Sequence, residues 1–197
     1  MKSLRIAIVG ATGLVGTTVL NILEERNFPI STLLPVASEK SIGKFINFGV
    51  VKIAILSLKS ALSERPDVAI FSAGGIVSQE WAPKFSDAGV TVIDNSSAWR
   101  MNEKIKLVVP EVNGDCLTSS DMIIANPNCT TMQLVMVLKP LHDKSKILRG
   151  VVSTYQSVTG TGQLAVSQLM DERSGLTPSE KAYPYPIDKN CIPHCDV

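Results

Sequence analysis

One cysteine of the chain has sequence neighbours that suit a nucleophile. Cys129 lies in the segment Asn126-Pro127-Asn128-Cys129-Thr130-Thr131, which follows an apolar run and opens a predicted helix. At the first turn of a helix, free backbone N–H groups and the helix dipole stabilise a thiolate. A thiolate attacks carbonyl carbons, and the adduct can give a hydride to a neighbouring redox cofactor. A buried, inert cysteine is the alternative, because free cysteines are among the most buried residues.

A glycine-rich turn near the start of the chain is typical of a dinucleotide site. An apolar run, Leu4–Val9, predicts a buried strand, and helical spacing runs from Leu14 to Glu25. The residues expected to hold the cofactor are Gly10, Thr12, Gly13, Leu14, Val15 and Gly16. In such a turn the first glycine permits the bend, the second admits the pyrophosphate, and the third lets helix and strand pack closely. The spacing is G-x-x-G-x-x-G rather than G-x-G-x-x-G, and a glycine turn without a ligand is the alternative.

The residues after the second predicted strand favour NADP over NAD. An NAD site usually has Asp or Glu there to bind the ribose 2′-hydroxyl. Here the strand is followed by Ser38, Glu39, Lys40 and Ser41. Hydroxyl and ammonium groups suit a 2′-phosphate, although Lys40 could equally be a solvated loop charge. The cofactor is also expected to lie against Ser72, Ala73 and Gly74, small residues that follow a later strand.

Strand-like and helix-like segments alternate around these residues. Strands are predicted at Leu4–Val9, Thr32–Ala37, Val68–Phe71, Thr91–Asp94, Lys106–Val109 and Met122–Ala125. Helices are predicted at Leu14–Glu25 and Gln79–Ala88, among others. This alternation predicts an α/β fold with a doubly wound, Rossmann-type parallel sheet.

A second structural unit is predicted to follow the sheet. A helix is expected from Cys129 to Lys139, stopped by Pro140, and then a strand from Leu148 to Tyr155. The remaining residues are loop-like. We therefore predict a dinucleotide-binding domain over residues 1–127 and an incomplete α+β catalytic and dimerisation domain over residues 128–197.

Composition narrows the functional classes. The 197 residues carry 19 Lys and Arg against 18 Asp and Glu, which argues against a nucleic-acid or membrane partner attracted by bulk charge. No apolar run approaches the ~20 residues of a membrane span, and the N-terminus does not have the pattern of a signal peptide. A cytoplasmic location is therefore expected, with the four cysteines as thiols.

Two other patterns are rejected. Cys191, His194 and Cys195 crowd three possible metal ligands into five residues without a fourth, so no metal site is expected. Tyr185 and Lys189 have the Y-x-x-x-K spacing of short-chain dehydrogenases, but Pro186 makes a catalytic helix there unlikely. Cys116 falls in a predicted surface connection.

From Arg5 onwards the chain resembles aspartate-semialdehyde dehydrogenase. The segments that carry the resemblance are I-A-I-V-G-A-T-G-L-V-G, A-S-E-K-S-I-G-K, S-A-G-G, D-N-S-S-A-W-R-M, V-V-P-E-V-N, N-P-N-C-T-T, T-Y-Q-S-V-T-G-T-G and Y-P-Y-P-I-D-K-N-C-I-P-H. The resemblance implies that β-aspartyl phosphate is reduced with NADPH to aspartate semialdehyde and phosphate. It also implies a cytoplasmic homodimer that serves lysine (through diaminopimelate), threonine and methionine synthesis.

The resemblance also assigns roles to residues. It implies that Cys129 is the nucleophile and that Gln156 orients the substrate at the thioacyl stage. Phosphate or the acyl phosphate is expected at Arg100, Asn95 and Asn128, and Gly160 is expected to let a loop approach the cofactor. Arg100 could instead form a surface ion pair, and Gln156 could be a loop-stabilising amide.

Two departures from the family pattern leave alternatives open. The family often has arginine where Lys40 lies, and neither His142 nor His194 matches the motif of its acid–base histidine. One rival function is an N-acetyl-glutamyl-phosphate reductase, which shares the glycine turn and a cysteine. The other is a dinucleotide-binding module without catalysis, because the motif of the acid–base histidine is not found in these residues. The S-E-K-S-I-G-K and T-Y-Q-S-V-T-G-T-G segments favour the aspartyl enzyme.

Overall fold

The computed structural model describes residues 2–193. The chain divides into two compact units, residues 1–152 and residues 153–197. In the part of the chain that is described, no helix has the length and apolarity needed to cross a bilayer.

The first unit is built on a parallel sheet. The strands of the chain are β1 (Leu4–Val9), β2 (Ile30–Val36), β3 (Phe45–Phe48), β4 (Val51–Ala54), β5 (Val68–Phe71), β6 (Thr91–Asp94), β7 (Lys106–Leu107) and β8 (Ile123–Ala125). Six of them form one sheet in the order β2-β1-β5-β6-β8-β7, with every neighbouring pair parallel. Strands β3 and β4 form a separate antiparallel pair. The predicted Rossmann-type α/β fold is confirmed.

Apart from Arg5, strand β1 is apolar because both faces of the sheet are covered. Ala7 and Val9 belong to one buried cluster, whereas Ile6 and Ile8 belong to another. Successive side chains of a strand point to opposite faces, so this division puts one cluster on each side of the sheet.

Helices contribute to both clusters. The helices are α1 (Leu14–Glu25), α2 (Leu58–Ser63), α3 (Gly75–Asp87), α4 (Pro110–Asn113), α5 (Cys129–Lys144) and α6 (Gln163–Arg173). Helix α1 contributes Leu20 to the cluster of Ile6 and Ile8, and α3 contributes Phe85 to the other. The ring of Phe85 meets that of Phe71 edge to face, with centroids 5.4 Å apart. Helices therefore cover both faces of the sheet, as in a doubly wound fold.

Two predictions about the segment after Cys129 are wrong. Helix α5 continues past Pro140 to Lys144. Proline removes one backbone hydrogen bond, but the last turn gains the Lys139–Asp143 ion pair and basic groups near the helix C-terminus. The predicted strand Leu148–Tyr155 is irregular. A strand needs a partner for its N–H and C=O groups, and neither sheet within residues 2–193 includes this segment.

The domain boundary proposed at residue 127 remains a prediction. The first compact unit extends to residue 152 and includes α5. The second unit contains α6 and a 3₁₀ turn, Val158–Thr161, which immediately precedes it.

The short edge strand β7 is tied down by a carboxylate. The Lys106 ammonium lies 2.8 Å from Asp121 Oδ2, and the same oxygen accepts hydrogen bonds from the Thr118 N–H (2.6 Å) and hydroxyl (2.7 Å). The hydrogen bond from Lys106 is the largest cause that lowers the pKa of Asp121 from 3.8 to about 2, followed by those from Thr118.

Stability is therefore expected to depend on pH through Asp121. A lowered folded-state pKa means that the carboxylate stabilises the fold above its unfolded pKa and that this contribution is lost as the pH falls from about 4 to about 2. Urea unfolding of the wild type and Asp121→Asn across that range measures the effect. The wild type should lose more unfolding free energy than the variant on acidification. Parallel pH profiles would contradict the assignment.

Candidate active site

The predicted functional segments of the first unit follow the carboxyl ends of strands in the parallel sheet. In a parallel sheet the carboxyl ends of all strands lie at the same edge, and ligands bind where the strand order reverses. Here the order reverses at β1, which has β2 on one side and β5 on the other. The glycine turn follows β1, the serine and lysine segment follows β2, and Ser72 follows β5. The structure therefore brings the predicted cofactor segments of the first unit to the same edge of the sheet.

The glycine turn is fixed by close backbone contacts. The N–H groups of Gly10 and Ala11 both donate to the Val36 carbonyl, at 2.9 and 3.0 Å. Gly10 has a φ of +92°, and a Cβ added there would lie 2.6 Å from the Ser72 carbonyl oxygen. A Cβ on Gly16 would lie 2.1 Å from the Gly10 carbonyl oxygen. Two glycines are thus required by the backbone itself, as the sequence predicts.

The N-terminus of α1 fits an anionic group. Gly13 is its N-cap residue and makes no side-chain capping bond, and the first turn contains no acidic residue. The side chains of Leu14 and Val15 in that turn are exposed, and Thr12 is exposed beside them. N–H groups at a helix start, together with the helix dipole, favour a phosphate. This turn therefore fits the pyrophosphate of a dinucleotide.

The segments that follow β2 and β5 lie on the two sides of the glycine turn. After β2, Ser38 and Lys40 are exposed, and the Ser41 N–H donates to the Ser38 carbonyl (2.8 Å) in a single 3₁₀ turn. After β5, the Ser72 N–H donates to the Val9 carbonyl (2.8 Å), and Ala73 is exposed. Gly74 follows with a φ of +89° and begins α3. The cofactor contacts of these residues stay predictions.

Arg100 joins the ends of β6 and β8. Its Nε donates to the Asn126 carbonyl and its Nη2 to the Asn95 carbonyl, both at 2.9 Å. The Asn126 amide Nδ2 in turn donates to Asn95 Oδ1. Two of the five guanidinium N–H groups are used in this way. The structure thus brings Arg100 and Asn95 together, and it adds Asn126, to which the sequence analysis assigned no role.

Buried Asp94 fixes the segment after β6, which contains Asn95 and Arg100. Its side chain is fully buried, and Oδ2 accepts a hydrogen bond from the Ser96 hydroxyl (2.6 Å). The Ser96 oxygen accepts the Ala98 N–H (3.2 Å), which fixes the bend after Asn95. Sequence reasoning missed Asp94 because it reads as the polar end of a strand. Its burial becomes visible only once β5 and β8 flank β6.

Cys129 is the exposed first residue of α5. The preceding residue, Asn128, caps the helix, since its Oδ1 accepts the Thr130 N–H at 3.0 Å. The same oxygen accepts the Cys129 thiol at an S···O distance of 3.3 Å. Cys129 is therefore not buried, and its role as the nucleophile stays a prediction. The predicted contact of Asn128 with phosphate stays a prediction.

Gln156 and Gly160 belong to the second unit. A Cβ on Gly160 would lie 2.1 Å from Gln156 Nε2, so Gly160 leaves room for the amide of Gln156. The exposed Gln156 lines an open cleft of about 420 Å³ whose other lining residues include Arg173, Lys189 and Cys191. The roles predicted for Gln156 in catalysis and for Gly160 at the cofactor stay predictions.

Comparison with known protein families identifies the fold family. A family model described as "Semialdehyde dehydrogenase, NAD binding domain" matches residues 5–120, and one described as "Semialdehyde dehydrogenase, dimerisation domain" matches residues 138–197. The chain belongs to the semialdehyde dehydrogenase family. The predicted resemblance is thus confirmed, and the glycine turn lies within the residues that match the NAD-binding-domain model.

Individual relatives agree with the family match. Aspartate-semialdehyde dehydrogenase of Aquifex aeolicus is 49% identical over 98% of the chain, which covers 59% of that protein. The enzyme of Legionella pneumophila is 46% identical over 99% of the chain, which covers 58% of it. The crystal structure of aspartate semialdehyde dehydrogenase II from Vibrio cholerae, complexed with ASA, has a TM-score of 0.90 and 40% identity, with 100% of this chain and 60% of that one covered. The chain therefore spans about three-fifths of the length of these relatives.

Potential metal ligands are not clustered in the described part of the chain. Within residues 2–193, no three His, Cys, Asp or Glu side chains are grouped so that they could hold a metal ion. Cys191 is exposed, whereas His194 and Cys195 lie outside the described residues.

Replacing Arg100 with lysine is expected to destabilise the first unit. A single ammonium cannot reproduce the two hydrogen bonds that the planar guanidinium makes to the Asn95 and Asn126 carbonyls. The unfolding free energy should fall by about 1–3 kcal/mol, the usual effect of losing a hydrogen bond to a charged group. Urea denaturation of Arg100→Lys, with the exposed Arg26→Lys as a matched control, measures this effect. Equal stability of the two variants would show that the bridge is unimportant.

Proposed function

We propose that the chain is part of an NADP-dependent aspartate-semialdehyde dehydrogenase, which converts β-aspartyl phosphate to aspartate semialdehyde and phosphate. The observation that carries this proposal is the position of Cys129. It is exposed at the first turn of α5, directly after β8, and so follows the same sheet edge as the glycine turn. The family match and the names of the relatives support the choice of substrate.

The reaction begins at the thiolate of Cys129. Its sulfur attacks the carbonyl carbon of the acyl phosphate, the carbon–oxygen bond to phosphate breaks, and the acyl group remains as a thioester on Cys129. A bound nicotinamide dinucleotide would supply the hydride. The acyl carbon gains this hydride, its bond to sulfur breaks, and aspartate semialdehyde leaves with the Cys129 thiolate restored. In the opposite direction a phosphate oxygen attacks the thioester and the Cys129 thiolate leaves.

The surroundings of Cys129 suit that role. The 3.3 Å contact to Asn128 Oδ1 orients the thiol, and the start of α5 stabilises negative charge on sulfur. Arg100 and Asn95 follow the neighbouring strand β6 and bind the phosphate group. The guanidinium N–H groups not used for the two carbonyls suit a phosphate, because Arg recognises its oxygens in a planar, bidentate manner.

NADP is proposed as the cofactor because of the residues after β2. Lys40 is exposed there beside Ser38 and the half-buried Ser41, and together they suit a ribose 2′-phosphate. Replacing Lys40 with alanine should raise the Kd for NADPH about 5-fold, the effect of one exposed ion pair, and leave the Kd for NADH unchanged. Fluorescence titration measures both constants. Lys104→Ala is the control. Lys104 is exposed just before β7, and β7 and β2 are the two outermost strands on opposite sides of the sheet. An equal increase in the Kd for NADPH and the Kd for NADH would contradict the assignment of Lys40 to the 2′-phosphate.

A comparison of substrates tests the proposed function. β-Aspartyl phosphate should support NADPH oxidation, and N-acetyl-glutamyl phosphate should not. Oxidation with the second compound alone would identify a reductase of the rival class. Cofactor binding without oxidation by either compound would identify a binding module.

The wider setting is also proposed. The dimerisation-domain match over residues 138–197 supports a homodimer. A cytoplasmic location and a role in lysine, threonine and methionine synthesis follow from the family resemblance. The substrate and phosphate are small molecules, and no nucleic-acid or membrane partner is expected.

A further inference from the structure

A buried amide on α6 holds the segment that follows it. The side chain of Gln168 is fully buried. Its Nε2 donates to the carbonyls of Tyr183 and Tyr185, both at 3.2 Å, and its Oε1 accepts the N–H groups of Ala182 (2.8 Å) and Tyr183 (3.1 Å). One side chain thus binds both backbone groups of Tyr183. Only an amide offers donors and acceptors in this arrangement.

Glu172, one helical turn later, extends this support. Its Oε1 accepts a hydrogen bond from Gln168 Nε2 at 2.9 Å, and its Oε2 accepts the N–H groups of Ile187 (2.6 Å) and Asp188 (2.9 Å). These bonds, first of all the one from Gln168, lower the pKa of Glu172. Residues 182–188 are therefore attached to one face of α6 along their length.

The attached segment reaches Gln156 through Tyr183. The Tyr183 hydroxyl is hydrogen-bonded to the hydroxyl of Thr161, at the end of the 3₁₀ turn Val158–Thr161. Gly160 lies in this turn, and its Cβ position is 2.1 Å from Gln156 Nε2. The turn therefore packs against the Gln156 amide, and a shift of the turn changes the surroundings of that amide.

We propose that Gln168 is a positioning residue for Gln156, acting through Tyr183 and the turn that contains Thr161 and Gly160. Gln168 fixes the backbone of Tyr183, the Tyr183 hydroxyl fixes the turn, and the turn fixes the amide. The inference rests on the proposed function only where it gives the Gln156 amide a task in the reaction.

Nuclear magnetic resonance of the side-chain amides tests the positioning without any turnover. The Gln156 NH₂ signals are assigned by their loss in Gln156→Ala. Tyr183→Phe and Thr161→Val each remove one hydroxyl and should shift or broaden those signals, and Gln168→Glu should do so more strongly. Tyr185→Phe is the control, since its side chain is 63% exposed and only its backbone contacts Gln168. Unchanged Gln156 signals in both hydroxyl variants would overturn the proposal, whether or not Gln168→Glu folds.

A kinetic cycle then separates positioning from general stability. Tyr183→Phe should lower kcat about 10-fold with little change in KM, within the ~10² that a misplaced group can cost. In a Gln156→Ala background the same change should have no further effect. If Tyr183→Phe lowered kcat by the same factor in the Gln156→Ala background as in the wild type, the proposal would be overturned. If Gln156→Ala alone leaves kcat unchanged, the catalytic role of Gln156 fails, and the magnetic resonance result decides the positioning by itself.

Discussion

Replacing Cys129 with serine is expected to lower the oxidation of aspartate semialdehyde by a factor of about 10⁴ or more, as the loss of a covalent nucleophile does elsewhere. A serine hydroxyl at the start of α5 is not ionised near neutral pH, so the carbonyl carbon meets a much weaker nucleophile. The fold should be retained, because the capping bond of Asn128 to the Thr130 N–H does not involve the thiol. Phosphate-dependent NADP⁺ reduction measures the loss.

Cys116→Ser is the matched control for this experiment. Cys116 is also an exposed free cysteine, and its known contact, with the Lys106 ammonium, is made by the backbone carbonyl. Its replacement should leave the rate unchanged. Comparable losses in both variants would mean that the effect is not chemistry at Cys129.

Replacing Gly16 with alanine is expected to weaken cofactor binding at least about 10-fold, equivalent to about 1.4 kcal/mol. The new Cβ would lie 2.1 Å from the Gly10 carbonyl oxygen and 2.9 Å from the Ala11 Cα, and these backbone atoms cannot move aside as a flexible side chain can. Helix α1 must therefore move away from the turn that is expected to hold the pyrophosphate. Overpacking of this kind should also lower the unfolding free energy by about 1–3 kcal/mol.

The control for Gly16 is Gly150→Ala. A Cβ on Gly150 meets no atom within 4 Å, and its backbone does not have a positive φ. Its replacement should change neither the Kd for NADPH nor the urea midpoint. Unchanged cofactor affinity in Gly16→Ala would contradict the place assigned to the glycine turn.

The parts of the fold that sequence predicts well are those dictated by neighbouring residues. Apart from Arg5, strand β1 is a continuous apolar run because it is buried on both faces, and α1 follows a glycine turn, so both are predicted with their observed bounds. The hairpin of β3 and β4 was missed. Its strands are short and partly exposed, with Phe45 and Val51 facing solvent, so their pattern is weak.

In the candidate site, too, local sequence predicts some residues, whereas other contacts are visible only in the structure. Cys129 could be located because Asn128 and Thr130 give the local pattern of a helix start. The Arg100 bridge between β6 and β8 and the Gln168 contacts with residues 182–185 join backbone groups that are distant in sequence. No local pattern indicates which carbonyl such a side chain will meet, so these contacts required the structure.

If Cys129 carries the acyl group during the reaction, a single-turnover experiment will trap the group on that residue. The chain is mixed with aspartate semialdehyde and NADP⁺ without phosphate and then analysed by intact-mass and peptide mass spectrometry. We expect one aspartyl thioester per chain on the Cys129 peptide and an equal amount of NADPH. Addition of phosphate should then release the acyl group. NADPH formation with Cys129 unmodified, or an acyl group on another residue, would contradict this role of Cys129.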